Sequence, residues 1–162
     1  MRSSIERRLS VTRLECYLAP APGGKAYSKS MSDSNSNTAK RIVVIDDHQD
    51  ICAFMSFALK GAGYEVETAP EGARALAMLR SRRADLIITD IFMPGQEGFE
   101  TISRCRAEFP QTKIIVMSAG TVPGMKHDFL ATAGLLGVGA TLRKPFTANQ
   151  LLDSVRKVLE KP

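Results

Sequence analysis

No stretch of this chain stays apolar for the roughly 18 residues that a membrane-spanning helix requires, so no membrane association is expected. Arg2, Arg7 and Arg8 give a basic start, but no apolar segment of the secretory kind follows them. Cysteine is scarce. Cys16, Cys52 and Cys105 form no close pair and are odd in number, which argues against a disulfide framework or a zinc site and for a reducing, cytoplasmic location. Missing too is a basic stripe interleaved with aromatic residues, the footprint of nucleic-acid binding. The formal charge is +5, yet residues 1–39 hold six basic side chains against three acidic ones. The basic excess therefore belongs largely to one end, and no nucleic-acid partner is expected.

What is present suits a soluble globular protein: 162 residues, 44% hydrophobic and 24% charged. Residues 1–39 read as a disordered N-terminal extension. Pro20-Ala21-Pro22-Gly23-Gly24 is a linker signal, and Ser32-Asp33-Ser34-Asn35-Ser36-Asn37 cannot bury a core. Ile5, Leu9 and Leu14 could form a short amphipathic docking element, and Met31 could be the natural start of the chain. Residues 40–162 read as one domain.

That domain repeats a single beat. Apolar, β-branched runs at Arg41–Ile45, Leu86–Thr89 and Lys113–Ser118 suit parallel strands buried on both faces. Residues 64–69 alternate like a strand nearer an edge, and residues 140–143 form a short last strand. Between them lie helical stripes: Ile51, Phe54, Met55, Ala58 and Leu59; Ala75, Leu76 and Leu79; Phe99, Ile102, Cys105 and Phe109. A helix of about ten residues is expected to run towards Gly134, and Leu151, Leu152, Val155, Val158 and Leu159 mark the last one. About five βα units predict an α/β fold, a doubly wound five-stranded parallel sheet with helices on both faces.

In such a sheet, ligands bind outside the carboxyl ends of the strands. Four strands end on polar groups there: Asp46 and Asp47, Asp90, Ser118, and Lys144. Three carboxylates packed together repel, and a hard divalent cation such as Mg²⁺ would relieve them. A cation, an ammonium and a hydroxyl around one carboxylate are what phosphoryl transfer to that carboxylate needs.

Asp46-Asp47, Asp90-x-x-Met93-Pro94-x-x-x-Gly98, Met117-Ser118-Ala119 and Lys144-Pro145-Phe146 resemble the receiver domain of two-component response regulators, in order and spacing, from about Arg41 to Glu160. The resemblance implies a flavodoxin-like receiver fold acting as a phosphoprotein in a phosphorelay. Asp90 would be the phosphoacceptor. Asp46, Asp47, Asp90 and the backbone carbonyl of Phe92 would hold Mg²⁺, Asp46 partly through water. Ser118 would donate a hydrogen bond to the phosphoryl group, Lys144 would pair with it, and the Lys144–Pro145 peptide would be cis. The donor would be a histidine kinase or histidine phosphotransfer protein. No output domain follows in the sequence, so a stand-alone regulator read by an unidentified target protein is expected.

Three features depart from that pattern. Thr141 stands where the family usually places an aromatic switch residue. Residues 119–139 are long and rich in glycine, which shifts the expected conformational response to Gly120 and its loop. The family's frequent DNA-binding or enzymatic domain does not follow. Two other functions stay open: a degenerate receiver that only binds a partner, and an aspartyl-nucleophile phosphatase. The phosphatase needs a second acid two residues after its nucleophile, where Phe92 stands. His48 reads as a solvated helix-start residue, because Mg²⁺ prefers oxygen ligands, and His127 as a surface residue. Gly134-x-x-Gly137-x-Gly139 precedes a strand instead of following one, so it is no dinucleotide loop.

Overall fold

The computed structural model describes residues 39–93, 97–119 and 137–160. The N-terminal extension, Gly120 with its loop and the helix expected before Gly134 lie outside these residues. Within them the chain forms β1 (Arg41–Ile45), α1 (Gln49–Gly61), β2 (Glu65–Ala69), α2 (Gly72–Ser81), β3 (Leu86–Asp90), α3 (Glu97–Glu108), β4 (Lys113–Ser118), β5 (Ala140–Arg143) and α4 (Ala148–Glu160).

Side chains alternate across a strand, so a run without polar residues must be covered on both sides. Ile42, Val44, Leu86, Ile88, Ile115 and Met117 pack on α1 and α4 through Met55, Leu59, Leu151 and Val155. Val43, Ile45, Ile87, Ile114 and Val116 pack on α2 and α3 through Leu76, Leu79, Ile102 and Cys105. The expected stripes face these layers, with Phe54, Ala58, Phe99, Leu152 and Leu159 only partly buried. Cys52, outside the expected α1 stripe, joins the buried core.

All strand pairs are parallel, in the order β2-β1-β3-β4-β5. The winding reverses between β1 and β3, and these strands end level: Ile45 pairs with Thr89, so Asp46 and Asp90 each stand one residue further on. That reversal opens the crevice in which such sheets bind ligands.

At the opposite, amino end of the strands, Asp85 accepts from Lys40 Nζ and from the Arg41 N–H, both at 2.8 Å. Burial alone would raise the Asp85 carboxyl; those two donors outweigh it and hold the group below its ordinary range. Lys113 Nζ, at the start of β4, donates to the Leu159 carbonyl at 3.4 Å and so fastens the last turn of α4 to this end.

The first turn of α3 lies directly on the chain that leaves β3. A Cβ added at Gly98 would stand 2.4 Å from the Ile91 carbonyl oxygen and 2.6 Å from that of Asp90, and backbone cannot step aside. Gly98→Ala should therefore destabilise the protein by about 1–3 kcal/mol, the scale of overpacking. Gly61→Ala, with nothing within 4 Å of the new atom, should change stability by no more than about 0.5 kcal/mol. Urea unfolding of the two variants checks the contrast.

Candidate functional site

β1 and β3 deliver two carboxylates side by side, Asp46 with its side chain fully buried and Asp90 nearly so. Burying such groups unpaired is costly. The partner comes from beyond β5. The Lys144 N–H donates to the Ser118 carbonyl at 2.7 Å, and its side chain reaches Asp46 Oδ2 at 2.6 Å and Asp90 Oδ2 at 2.5 Å. Burial disfavours the Lys144 charge, but Asp90 and then Asp46 outweigh it, so the ammonium pKa lies above its ordinary value.

The remaining oxygens are also held. Asp90 Oδ1 accepts the Phe92 N–H at 2.9 Å. Asp46 Oδ1 accepts the N–H of His48, the residue that caps α1, at 2.9 Å. The His48 ring turns back over the pocket, with Nδ1 3.1 Å from Asp46 Oδ1 and 3.0 Å from Asp47 Oδ1. His48 is thus half exposed, as expected of a helix-start residue, but it does not stand apart from the acids. Beneath them, the Cys52 thiol donates to the Asp46 carbonyl at 3.4 Å. Burial, with the Asp46 charge, pushes this thiol up to about 11, so it stays protonated and is no nucleophile.

The donor set fits a hard divalent cation. Two carboxylates face one ammonium, and the partly exposed carboxylate of Asp47 adjoins them at His48, which leaves an excess of negative charge. The donor atoms of Asp46, Asp47 and His48 lie within 4.8 Å of one another. Asp90 is outside that group, held by Lys144 and the Phe92 N–H.

Of the other expected site residues, Ser118 is fully buried at the end of β4, one residue past the Asp90–Met117 pair. The Lys144–Pro145 peptide is cis, and Pro145 is exposed. Thr141 pairs with Val116 and is exposed on β5. The contacts of His48 and the Phe92 N–H were not foreseen. Only the adjacency of His48 to Asp46-Asp47 hinted at the first.

Lys144→Met should leave Asp46 and Asp90 buried without a countercharge and cost about 3–5 kcal/mol at neutral pH. The sign of the pH dependence follows from the raised pKa. The stabilisation from Lys144 is fully present below its unfolded value of 10.5 and is lost as pH climbs through the higher folded value. Urea midpoints of wild type and variant should accordingly converge in strong alkali and stay apart at pH 7.

Residues 42–156 match the response regulator receiver domain. The transcriptional regulatory protein PrrA of Mycobacterium tuberculosis is 33% identical over 125 residues, 76% of this chain and 52% of that protein. PhoP of Bacillus subtilis, an alkaline phosphatase synthesis transcriptional regulatory protein, is 28% identical over 123 residues, 75% of this chain and 49% of its own. The chain thus spans about half the length of the curated relatives it matches. Among solved structures, the chemotaxis response regulator CheY4 of Vibrio cholerae is 34% identical with a TM-score of 0.66, covering 75% of this chain and 99% of that one. A CheY-like receiver domain protein from Methanospirillum hungatei is 26% identical with a TM-score of 0.68, covering 76% and 95%. Matching over most of its described sheet and helices, this chain belongs to the response regulator receiver domain family of two-component signal transduction.

Proposed function

We propose that Asp90 accepts a phosphoryl group from a histidine kinase or histidine phosphotransfer protein in a Mg²⁺-dependent reaction, and that the resulting conformational change is read by a partner protein. The observation that carries this reading is the Lys144 ammonium bonded to both Asp46 and Asp90 at the carboxyl end of the sheet. An Asp90 oxygen attacks the phosphorus in line, forming the new P–O bond as the P–N bond to the donor imidazole breaks. The Phe92 N–H fixes the other Asp90 oxygen and so sets the direction of attack. Lys144 then exchanges its bond with Asp90 for one with the phosphoryl oxygens, and the Ser118 hydroxyl donates to another of them. When bound by Asp46, Asp47, Asp90 and the Phe92 carbonyl, Mg²⁺ would offset the charge that gathers on the transferring oxygens. The chain acts on no other substrate in this scheme; it promotes only its own phosphorylation and dephosphorylation.

A phosphatase is disfavoured because the residue two after Asp90 is Phe92, which contributes its N–H and has no acid to offer. A binding-only module is disfavoured because every chemical position is filled by a competent group.

Incubation with a small labelled phosphodonor and Mg²⁺ separates the three: a receiver accumulates label, a phosphatase turns over continuously, and a binding-only module does neither. Asp90→Asn should abolish uptake, and Asp47→Ala should weaken Mg²⁺ binding while the chain stays folded. Uptake by Asp90→Asn at the wild-type rate would reject the site.

Thr141 is exposed and has no ring to turn inward, so the change on phosphorylation is assigned to Gly120 and the segment after it. Addition of beryllofluoride with Mg²⁺ should move backbone amide resonances most across residues 118–138 and less at Thr141. The reverse ranking would place the switch on β5.

A further inference from the structure

The position of the His48 ring is fixed by the acids themselves. Its backbone N–H and its Nδ1 both meet Asp46 Oδ1, at 2.9 and 3.1 Å. Lys144 holds the other oxygen of that carboxylate, so Asp46 cannot rotate away. From there Nδ1 also stands 3.0 Å from Asp47 Oδ1. A single Nδ1–H proton can point well at one of these oxygens only. An imidazolium would meet both oxygens as ion pairs, and one shared cation would give the same spacing, because adjacent ligands of an octahedral ion about 2.1 Å from its donors are about 3.0 Å apart.

We propose that the cation site of this chain includes His48 Nδ1 beside the carboxylates of Asp46 and Asp47, and that it takes first-row transition-metal ions more tightly than Mg²⁺. The proposal rests on reading the acidic pocket as a divalent-cation site and deepens it. Mg²⁺ gains little from a nitrogen donor, whereas imidazole suits the later first-row ions, whose affinity for mixed N and O sites rises from Mn²⁺ to Ni²⁺. The set implied by the family resemblance is all oxygen. Here a nitrogen is already turned onto the two carboxylates, so choosing the ion requires no rearrangement of the helix start.

The test is an equilibrium titration of the full chain with Ni²⁺ and, separately, with Mg²⁺ at one fixed pH. Wild type should bind Ni²⁺ more tightly, and excess Mg²⁺ should displace it, which places both ions at one site. His48→Ala should weaken Ni²⁺ by at least about tenfold and leave Mg²⁺ within about threefold. His127→Ala, the only other histidine variant available, should change neither. Ni²⁺ should also displace and broaden the His48 ring proton resonances. If Mg²⁺ fails to bind wild type, the reading of the pocket as a cation site falls, and this inference with it. If Mg²⁺ binds but His48→Ala leaves Ni²⁺ unchanged, or weakens both ions equally, the nitrogen ligand is wrong and the cation site stands.

Discussion

The pole of the sheet where chemistry is expected depends on one ammonium group shared by two buried carboxylates. Asp46 and Asp90 end adjacent central strands, and neither could be sequestered from water alone without a large desolvation cost. Lys144 belongs to neither strand nor to a neighbour of β1. It arrives from beyond β5, anchored on the last carbonyl of β4. The pair therefore forms only when β1, β3, β4 and β5 are in register together. A single polar contact reports on the alignment of four strands.

The cluster is tolerated because the layers behind it are apolar without interruption. On β1, residues 42 and 44 fill one layer and residues 43 and 45 the other, with no polar side chain until Asp46. The same holds from Leu86 to Ile88 on β3, after which Thr89 turns its hydroxyl to the Asp90 carbonyl at 3.1 Å. Apolar burial thus fills the middle of β1 and β3, and the acidic groups stand where these two strands end, at Asp46 and Asp90.

That division explains what could be read from residue order. Strands buried on both faces leave continuous apolar runs, and helices leave stripes, so the sheet and the facing residues were legible. The carboxylates were legible because each follows such a run. Less visible was anything set by a side-chain torsion or by the level at which two strands stop. The turn of the His48 ring depends on where α1 begins relative to Asp46. The double engagement of Lys144 depends on the flush ends of β1 and β3. Gly98 stood out as part of a spacing, but its physical role, the seat of α3 on two backbone carbonyls, shows only in three dimensions. Cys52 was missed because it lies at the margin of the α1 stripe, where burial is decided by the loop above it.

Lys40 enters the sheet at Asp85, and the end of α4 is fastened beside it by Lys113. Both ends of the described domain therefore emerge at the same pole, and it is the one remote from the carboxylates. Five residues of β1, at about 3.3 Å each, put roughly 16 Å of sheet between them. A fluorophore, an affinity handle or a further polypeptide tethered at either end would hang from the underside and leave the upper rim open to a docking protein. The last described residues of the chain and its first thus share one face of the sheet's edge, opposite the carboxylates.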